Sequence, residues 1–575
     1  MSNALAENHS FSKLAIFQIK VTFFTFKRCY HNLFSGLEKF SNKGNLNNLP
    51  LAATSESELW NKNDNAQNQI LTAGKVQNLR IAAQILNGME VPANQTFSFW
   101  KHIGNPNIGK GFVIGREVRE GCIVPSIAGG MCQLSNALYD AAIKAGFEIL
   151  ERHKHTKVIP GSLAEHDRDA TVKWNYLDLR FRANVDFKVV TDLTANKLIV
   201  KLMANSSVNE ISNSRIQAPD HINDCYSCGN FDCFKPPKQP PATSQTGATV
   251  FVLDERWTEY EQYINSIATP NDIIIMPSGK HDAKYLHKFR WQIKDGPTIK
   301  TFIMPAVQRT IWRHIYAKMN RNVFASSLKL DRLIAKKIAK RIPYNATQLV
   351  VAQNLLPFLQ QEGLFGGRRY NVLMTRLPLT YLHDRLNIAH KLYPQSKTLD
   401  DFRANDDIVE SEILALNRAE HIITPHEEIA ELFNNKVIKL KWAHSDIPAK
   451  EKIRGNKVLF PASGVARKGA FEIKRLAIEL DLTLVVTGGA MEHIGFWEGV
   501  RIAAPANDLL DDIALVVYPT YVEHSPRIIL KALSCNIPVI TTNACGLPPQ
   551  NNLTIVKTGD YDQLREAVKS ALFSN

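Results

Sequence analysis

Cysteine is scarce in this chain of 575 residues. The eight that occur, Cys29, Cys122, Cys132, Cys225, Cys228, Cys233, Cys535 and Cys545, are spread thinly, and only three of them cluster. Such usage excludes a disulfide scaffold. No apolar run reaches the roughly 18 residues that read as a membrane span, so no transmembrane helix is expected. The N-terminus shows no short cationic region followed by an unbroken apolar core and a small-residue cleavage site. No secretory signal is therefore read, and the cytoplasm is the expected compartment. No internal repeat is visible. The basic segments carry no nucleic-acid-binding module, which argues against a nucleic-acid partner.

What is present is a long, basic, ordinarily apolar chain. Its length exceeds what one core can hold, so several domains are expected. The formal net charge of +14 favours anionic partners such as nucleotide phosphates or anionic lipid. The stretch "FSKLAIFQIKVTFFTFKRCYHNLF" from Phe11 to Phe34 mixes aromatics with Lys13, Lys20, Lys27 and Arg28. That pattern suits either an interfacial helix at the inner face of a membrane or a helix packed on the protein itself.

Composition divides the chain into a basic aromatic leader (1–54), a mixed helix-and-strand domain (55–205), a polar linker ending in "KPPKQPPATSQTGA" (206–247), and two α/β segments (248–430 and 431–575). In the last of these, "KVLFPASG", "LTLVVTGG", "VRIAA", "ALVVYPT" and "PVITT" read as short buried strands. Helical patterns, "GAFEIKRLAIEL", "DLLDDI" and "SPRIILKALSC", separate them. Continuous apolar strands with crossover helices indicate a parallel sheet covered on both faces. Ligands of such sheets lie at the carboxyl ends of the strands.

The loops at those ends carry phosphate-binding chemistry. Arg467 and Lys468 follow a strand and precede a helix, where a guanidinium and an ammonium suit a pyrophosphate. Gly488 and Gly489 end the next strand, where the backbone comes close to a ligand or turns sharply. Glu523 precedes Ser525-Pro526, a helix-start signature, and its carboxylate can accept hydrogen bonds from sugar hydroxyls. The order and spacing of "GVARKGAFEIKRLA", "LVVTGG", "DDIALVVYPTYVEHSPRIILKALSCNIPVITTNACGLP" and "DYDQLREAVKSAL" resemble the nucleotide-sugar-binding domain of retaining GT-B glycosyltransferases, the group 1 glycosyl transferases.

That resemblance implies a nucleotide sugar as donor substrate, with Arg467 and Lys468 on its diphosphate and Glu523 as the first carboxylate of the family's E-x7-E pattern. It also implies transfer with retention and no need for a catalytic metal. Two departures stand out. Lys531 occupies the position of the second glutamate, which in the family holds the nucleotide ribose, and a lysine cannot accept those hydrogen bonds. Asn536 replaces a glycine usual before "PV". Residues 248–430, with "ATVFVLD", "DIIIMPS" and "YNVLMTRLPL", fit the acceptor-side domain. Within them, 309–341 carry ten Lys or Arg, from Arg309 to Arg341, against one acid, Asp331. The run reads as a solvated helical face or as attraction to a membrane or lipid-diphosphate acceptor.

In the linker, His221, Cys225, Cys228 and Cys233 give H-x3-C-x2-C-x4-C. Four such ligands could close a tetrahedral zinc site, or the thiolates could hold an iron–sulfur cluster. Unliganded thiols are the alternative.

The segment "GGMCQLSNALYDAAIKAGFEILERHKHT" (129–156) joins two glycines and Cys132 to a helix with one apolar face. Cys132 then stands at the helix N-terminus, where the dipole favours a thiolate. It could be a nucleophile, with His153 or His155 as base and Asp167 or Asp169 orienting it. The same residues could form a metal site, or the cysteine could simply be packed. With "VQNLRIAAQILNGMEVPANQTFSFWKHIGNP" before it and "DRDATVKWNYLDLRFRANVDF" after it, residues 76–205 resemble the VanW family. That family implies no settled reaction.

The expected fold class is therefore α/β, with GT-B type twin Rossmann-like domains in the C-terminal part preceded by a mixed α+β VanW-like domain. The expected activity is sugar transfer from a nucleotide sugar to a glycan or lipid-linked envelope acceptor, at most peripherally on the membrane. The alternatives are a non-catalytic glycan or nucleotide binder, and a VanW-centred cysteine enzyme acting on cell-wall precursors.

Overall fold

The computed structural model describes residues 34–61, 66–119, 122–155, 163–205, 248–278, 288–318, 323–443 and 455–573, with scattered positions before 34. The cysteine cluster of the linker, His221 to Cys233, lies outside the described residues. The chain forms two compact units. The first is 1–248 with 342–348 and 363–369; the second is 249–341, 349–362 and 370–575.

The first unit is mixed α+β. Strands β1 (Leu51–Glu58), β2 (Met89–Val91), β8 (Phe187–Leu193) and β9 (Lys197–Ala204) form an antiparallel sheet in the order β1-β9-β8-β2. On β9 the alternate residues Leu198, Val200, Leu202 and Ala204 are fully buried. This period of two turns one face of the sheet toward the helices Ala66–Leu86 and Met131–Lys144. A smaller sheet, β3 (Thr96–Ser98), β7 (Arg180–Arg182) and β6 (Glu148–Glu151), packs Phe97, Phe147 and Phe181 into the same core. The hairpin β4 (Ile114–Arg119) and β5 (Cys122–Ile127) lies over the first helix at Gly74. A Cβ on Gly74 would stand 2.0 Å from the Ile114 carbonyl oxygen, so only glycine admits the hairpin there.

The second unit contains two sheets. The first has the order β12-β11-β10-β13-β14-β15-β16 and the second β19-β18-β17-β20-β21-β22. In the first sheet, the strands are β10 (Thr249–Val252), β11 (Ile273–Met276), β12 (Thr298–Thr301), β13 (Gln348–Ala352), β14 (Arg369–Leu373), β15 (His421–Thr424) and β16 (Val437–Lys439). The second is built from β17 (Lys457–Phe460), β18 (Thr483–Val486), β19 (Arg501–Ala503), β20 (Ile513–Tyr518), β21 (Val539–Thr542) and β22 (Leu553–Val556). Its pairs are all parallel. Both orders run outward from a first strand on one side and return from a fourth on the other, which is the doubly wound pattern. The twin parallel sheets match the expected α/β class. In the second sheet the reversal falls between β17 and β20, and in doubly wound sheets ligands bind at the carboxyl ends of the strands flanking such a point.

Two expectations change at this level. "DLLDDI" is turn rather than helix, and Ile513 already opens β20. In the basic run, Arg309 is buried rather than solvated. It is held by Asp254 at 2.5 Å and by Asp331 at 2.7 Å, while its neighbours Lys329, Arg332, Lys336 and Lys337 are exposed. Asn536 adopts φ +57, the left-handed conformation that asparagine tolerates best after glycine, which explains how it stands in for the usual glycine.

Candidate functional sites

At the switch point of the second sheet, β17 leads through 461–465 into a single helical turn carrying Arg467 and Lys468. Gly469, at φ +83, then starts the helix Ala470–Glu479. A Cβ there would lie 2.3 Å from the Pro519 carbonyl, so the two loops touch backbone to backbone. This contact brings Lys468 against the loop after β20. Its ammonium lies 2.8 Å from Glu523 Oε2 and 3.0 Å from the Val522 carbonyl.

The Glu523 carboxylate is heavily engaged. Oε1 accepts from the backbone N–H of His524 at 2.9 Å and of Ser525 at 2.8 Å. Oε2 accepts from Lys468 and from the Tyr518 hydroxyl. Burial disfavours the ionised form, but Lys468 more than offsets it and holds the carboxyl well below the usual carboxylate range. A carboxylate offers about four acceptor sites, and four donors fill them. Lys468 keeps one N–H beyond its two contacts. Arg467 stacks over Phe402, 4.5 Å from the ring centre, and burial lowers its pKa.

Gly488 is a packing glycine, since a Cβ would meet Ser463 Oγ at 2.1 Å; Gly489 faces open space. Lys531, on the helix Arg527–Ser534, is partly exposed and reaches Asp508 at 3.2 Å. Two participants escaped sequence reading. Tyr518 is the last residue of β20 and reads as core. Glu492 accepts from Ser396 Oγ at 2.7 Å and from the Ala466 N–H at 2.6 Å, so it steadies the Arg467 loop. Close by, His426 donates through Nε2 toward the Ala544 carbonyl at 3.2 Å. Burial lowers its pKa to about 4, so the ring is neutral.

A second cluster lies in the first unit. Gly130, at φ +102, begins the helix Met131–Lys144 and sets Cys132 in its first turn. The same helix clamps the segment 169–172. Asn136 Oδ1 accepts from the Ala170 N–H at 2.7 Å, and Ser135 Oγ donates to the Ala170 carbonyl. That brings Thr171 Oγ1 to 3.4 Å from Cys132 Sγ. On its other side Thr171 Oγ1 lies 2.8 Å from His155 Nε2. His155 Nδ1 lies 2.6 Å from Asp169 Oδ1, and Asp169 Oδ2 accepts the His155 backbone N–H at 2.6 Å. Cys132 has one further, longer contact, to the Val172 carbonyl at 3.8 Å.

These partners fix the direction of the chain. An ionised Asp169 only accepts, so Nδ1 of His155 carries a proton. In the neutral ring Nε2 is then an acceptor for the Thr171 hydroxyl, whose oxygen accepts from the thiol. Moving the thiol proton to Nε2 turns the hydroxyl round and leaves a thiolate facing an imidazolium. Burial alone would lower the His155 pKa, but Asp169 and the Cys132 sulfur override it and raise it to about 10.

His153 takes no part. Strand β6 ends at Glu151, and beyond it the two histidines take different partners. His153 Nε2 pairs with Glu151 at 3.0 Å, while its backbone carbonyl holds the Thr171 N–H. Asp167 pairs instead with Arg152 and Lys154. Among the described residues no group of three or more His, Cys, Asp or Glu is arranged to hold a metal.

Comparison with known proteins gives two domain matches. Residues 74–203 match the model of VanW like protein, and 472–573 match that of glycosyl transferases group 1. Glu523 and Lys531 fall inside the second match, whereas Arg467 and Lys468 stand just ahead of it. Among curated proteins, the vancomycin B-type resistance protein VanW of Enterococcus faecalis is 30% identical over 156 residues, 26% of this chain and 57% of that protein. The uncharacterized protein YoaR of Bacillus subtilis is 29% identical over 147 residues, 25% of this chain and 48% of the relative. The chain thus spans about half the length of the curated relatives it matches. Among solved structures, sucrose-phosphate synthase of Thermosynechococcus elongatus is a distant likeness at TM-score 0.35 and 11% identity, covering 57% of this chain and 90% of that one. Anabaena HepE in complex with UDP and glucose stands at TM-score 0.33 and 12% identity, with the same coverage. The chain therefore joins a VanW-like domain to a group 1 glycosyl transferase domain.

Proposed function

We propose that the C-terminal unit transfers a glycosyl group from a nucleoside diphosphate sugar to a cell-envelope glycan or lipid-linked acceptor. The observation that carries the reading is the pairing of Arg467 and Lys468 at the switch point, directly before the helix Ala470–Glu479. A guanidinium and an ammonium stand side by side in the chain there, just ahead of the first amides of a helix. Together they stabilise the negative charge that grows on a departing diphosphate. Glu523 and Tyr518 act on this centre by holding the Lys468 ammonium in place.

Exposed apolar side chains near the N-terminus, Ile19, Phe23, Phe26 and Phe34, support peripheral contact with a membrane carrying the acceptor. The exposed lysines of the helix Val323–Ala339 are compatible with an anionic surface. No helix among the described residues is long and apolar enough to cross a membrane.

One observation favours a second reading, binding without turnover. Glu523 has its acceptor sites filled, and position 531 carries an ammonium where the family's second carboxylate would stand. Incubation with UDP- and GDP-sugars separates the two. Release of nucleoside diphosphate by the intact chain, abolished by Arg467→Ala, supports transfer. Saturable nucleotide binding with no release supports the binder, and no binding of any nucleotide removes both.

A further inference from the structure

The relay in the first unit stands apart from the sugar chemistry and calls for a function of its own. A nucleophilic atom, a hydroxyl, an imidazole and a carboxylate lie in one unbroken hydrogen-bonded line, with steps of 3.4, 2.8 and 2.6 Å. Each step has a donor and an acceptor. The carboxylate end is buried, with Asp169 only 3% exposed, whereas Cys132 and Thr171 are half-buried. A chain made only for packing has no need of a thiol at its half-buried end and a carboxylate at its buried end.

We propose that Cys132, Thr171, His155 and Asp169 form a thiol acyl-transfer centre, taking a carbonyl substrate of the ester or amide class. In the first half-reaction Sγ of Cys132 bonds to the carbonyl carbon and the bond to the leaving oxygen or nitrogen breaks. The thiol proton passes through Thr171 Oγ1 to His155 Nε2 and then to the leaving group. In the second, water or an amine loses a proton to His155 as it bonds to the acyl carbon. The carbon–sulfur bond breaks and the proton returns to sulfur. Charge that builds on the carbonyl oxygen would be met by the Met131 and Cys132 amides at the start of the 14-residue helix, since the Gln133 backbone amide is already bonded to the Gly130 carbonyl at 3.0 Å. Gln133 does not supply this stabilisation, because its amide nitrogen is held by Ser57 Oγ at 2.9 Å and the Glu58 carbonyl at 2.8 Å.

The test uses the intact chain and two probes, iodoacetamide and p-nitrophenyl acetate, with each cysteine followed by mass spectrometry. The exposed Cys29 serves as the internal reference. At pH 6 Cys132 is expected to alkylate at least about tenfold faster than Cys29, with a rate nearly flat up to pH 8, because His155 takes the thiol proton through Thr171. His155→Gln and Thr171→Val should both return Cys132 to an ordinary thiol profile, rising toward about pH 8.5. Thr171→Ser, which keeps the hydroxyl, should restore the fast, flat profile even if the histidine variant folds poorly. p-Nitrophenyl acetate should leave an acetyl group on Cys132 in the wild type and in Thr171→Ser, but not in Thr171→Val. An ordinary pH profile for Cys132 in the wild type overturns the proposal. So does a fast thiolate that takes no acetyl group.

Discussion

Glu523, partly buried, and Asp169, fully buried, are both carboxylates that hold a basic partner, yet they leave that partner in different states. Glu523 is saturated by two backbone amides, a tyrosine and Lys468, so its ion pair is a closed knot whose one outlet is the last N–H of the ammonium. Asp169 spends its oxygens on the backbone and ring of a single histidine, and the far nitrogen of that ring remains free to move a proton. The first arrangement fixes a charge in place, as stabilising a departing diphosphate requires. The second fixes an orientation and leaves the charge mobile, as activating a nucleophile requires.

The strongest way to break this contrast is to open the knot. Lys468→Ala leaves the partly buried Glu523 without its ion partner, though with its three other donors, which should cost about 2–3 kcal/mol of stability in urea denaturation and abolish nucleotide binding. A loss below about 1 kcal/mol would mean that the pair is solvated and not a knot.

Next comes the pH dependence of the mobile site. The folded His155 pKa is raised, to about 10, so its contribution to stability is complete below the unfolded value near 6.5 and fades as pH rises toward 10. The stability lost in His155→Gln should therefore be larger at pH 6 than at pH 9.5, by on the order of 1–3 kcal/mol. Equal losses at both values would remove the charged-histidine account.

Two smaller effects sharpen the comparison. Lys531→Glu swaps a surface partner of Asp508 for the family's carboxylate. Stability should change by less than about 1 kcal/mol, while nucleotide affinity should rise several-fold if a ribose lies there. Unchanged affinity would place the ribose elsewhere. Asn536→Ala should cost about 1 kcal/mol, read as a lowered thermal midpoint, because alanine is strained at φ +57.

The parts of this molecule that were legible in the sequence are those whose pattern is local. Apolar runs such as "KVLF" and "ALVVY" announce buried parallel strands, and the apolar face that includes Leu134, Leu138 and Ala141 announces the helix behind Cys132. The glycines before it and the charged pair Arg467-Lys468 mark their loops for the same reason. The partners that complete each site were not legible, because folding brings them from far along the chain. Thr171 reaches Cys132 across 39 positions and Glu523 reaches Lys468 across 55. Choosing His155 over His153 required knowing that β6 ends at Glu151, and strand ends are set by tertiary pairing. The basic run hid Arg309 because its partner Asp254 lies 55 residues earlier.

The most direct test of the central claim, that the switch-point loops hold the diphosphate of a nucleotide sugar, is calorimetric titration of UDP and GDP into the intact chain and into Arg467→Ala. Saturable binding of at least one nucleotide, weakened about tenfold or more by the substitution, is the predicted result, since a tenfold loss corresponds to about 1.4 kcal/mol. Binding of equal strength to both proteins, or none to either, would contradict it.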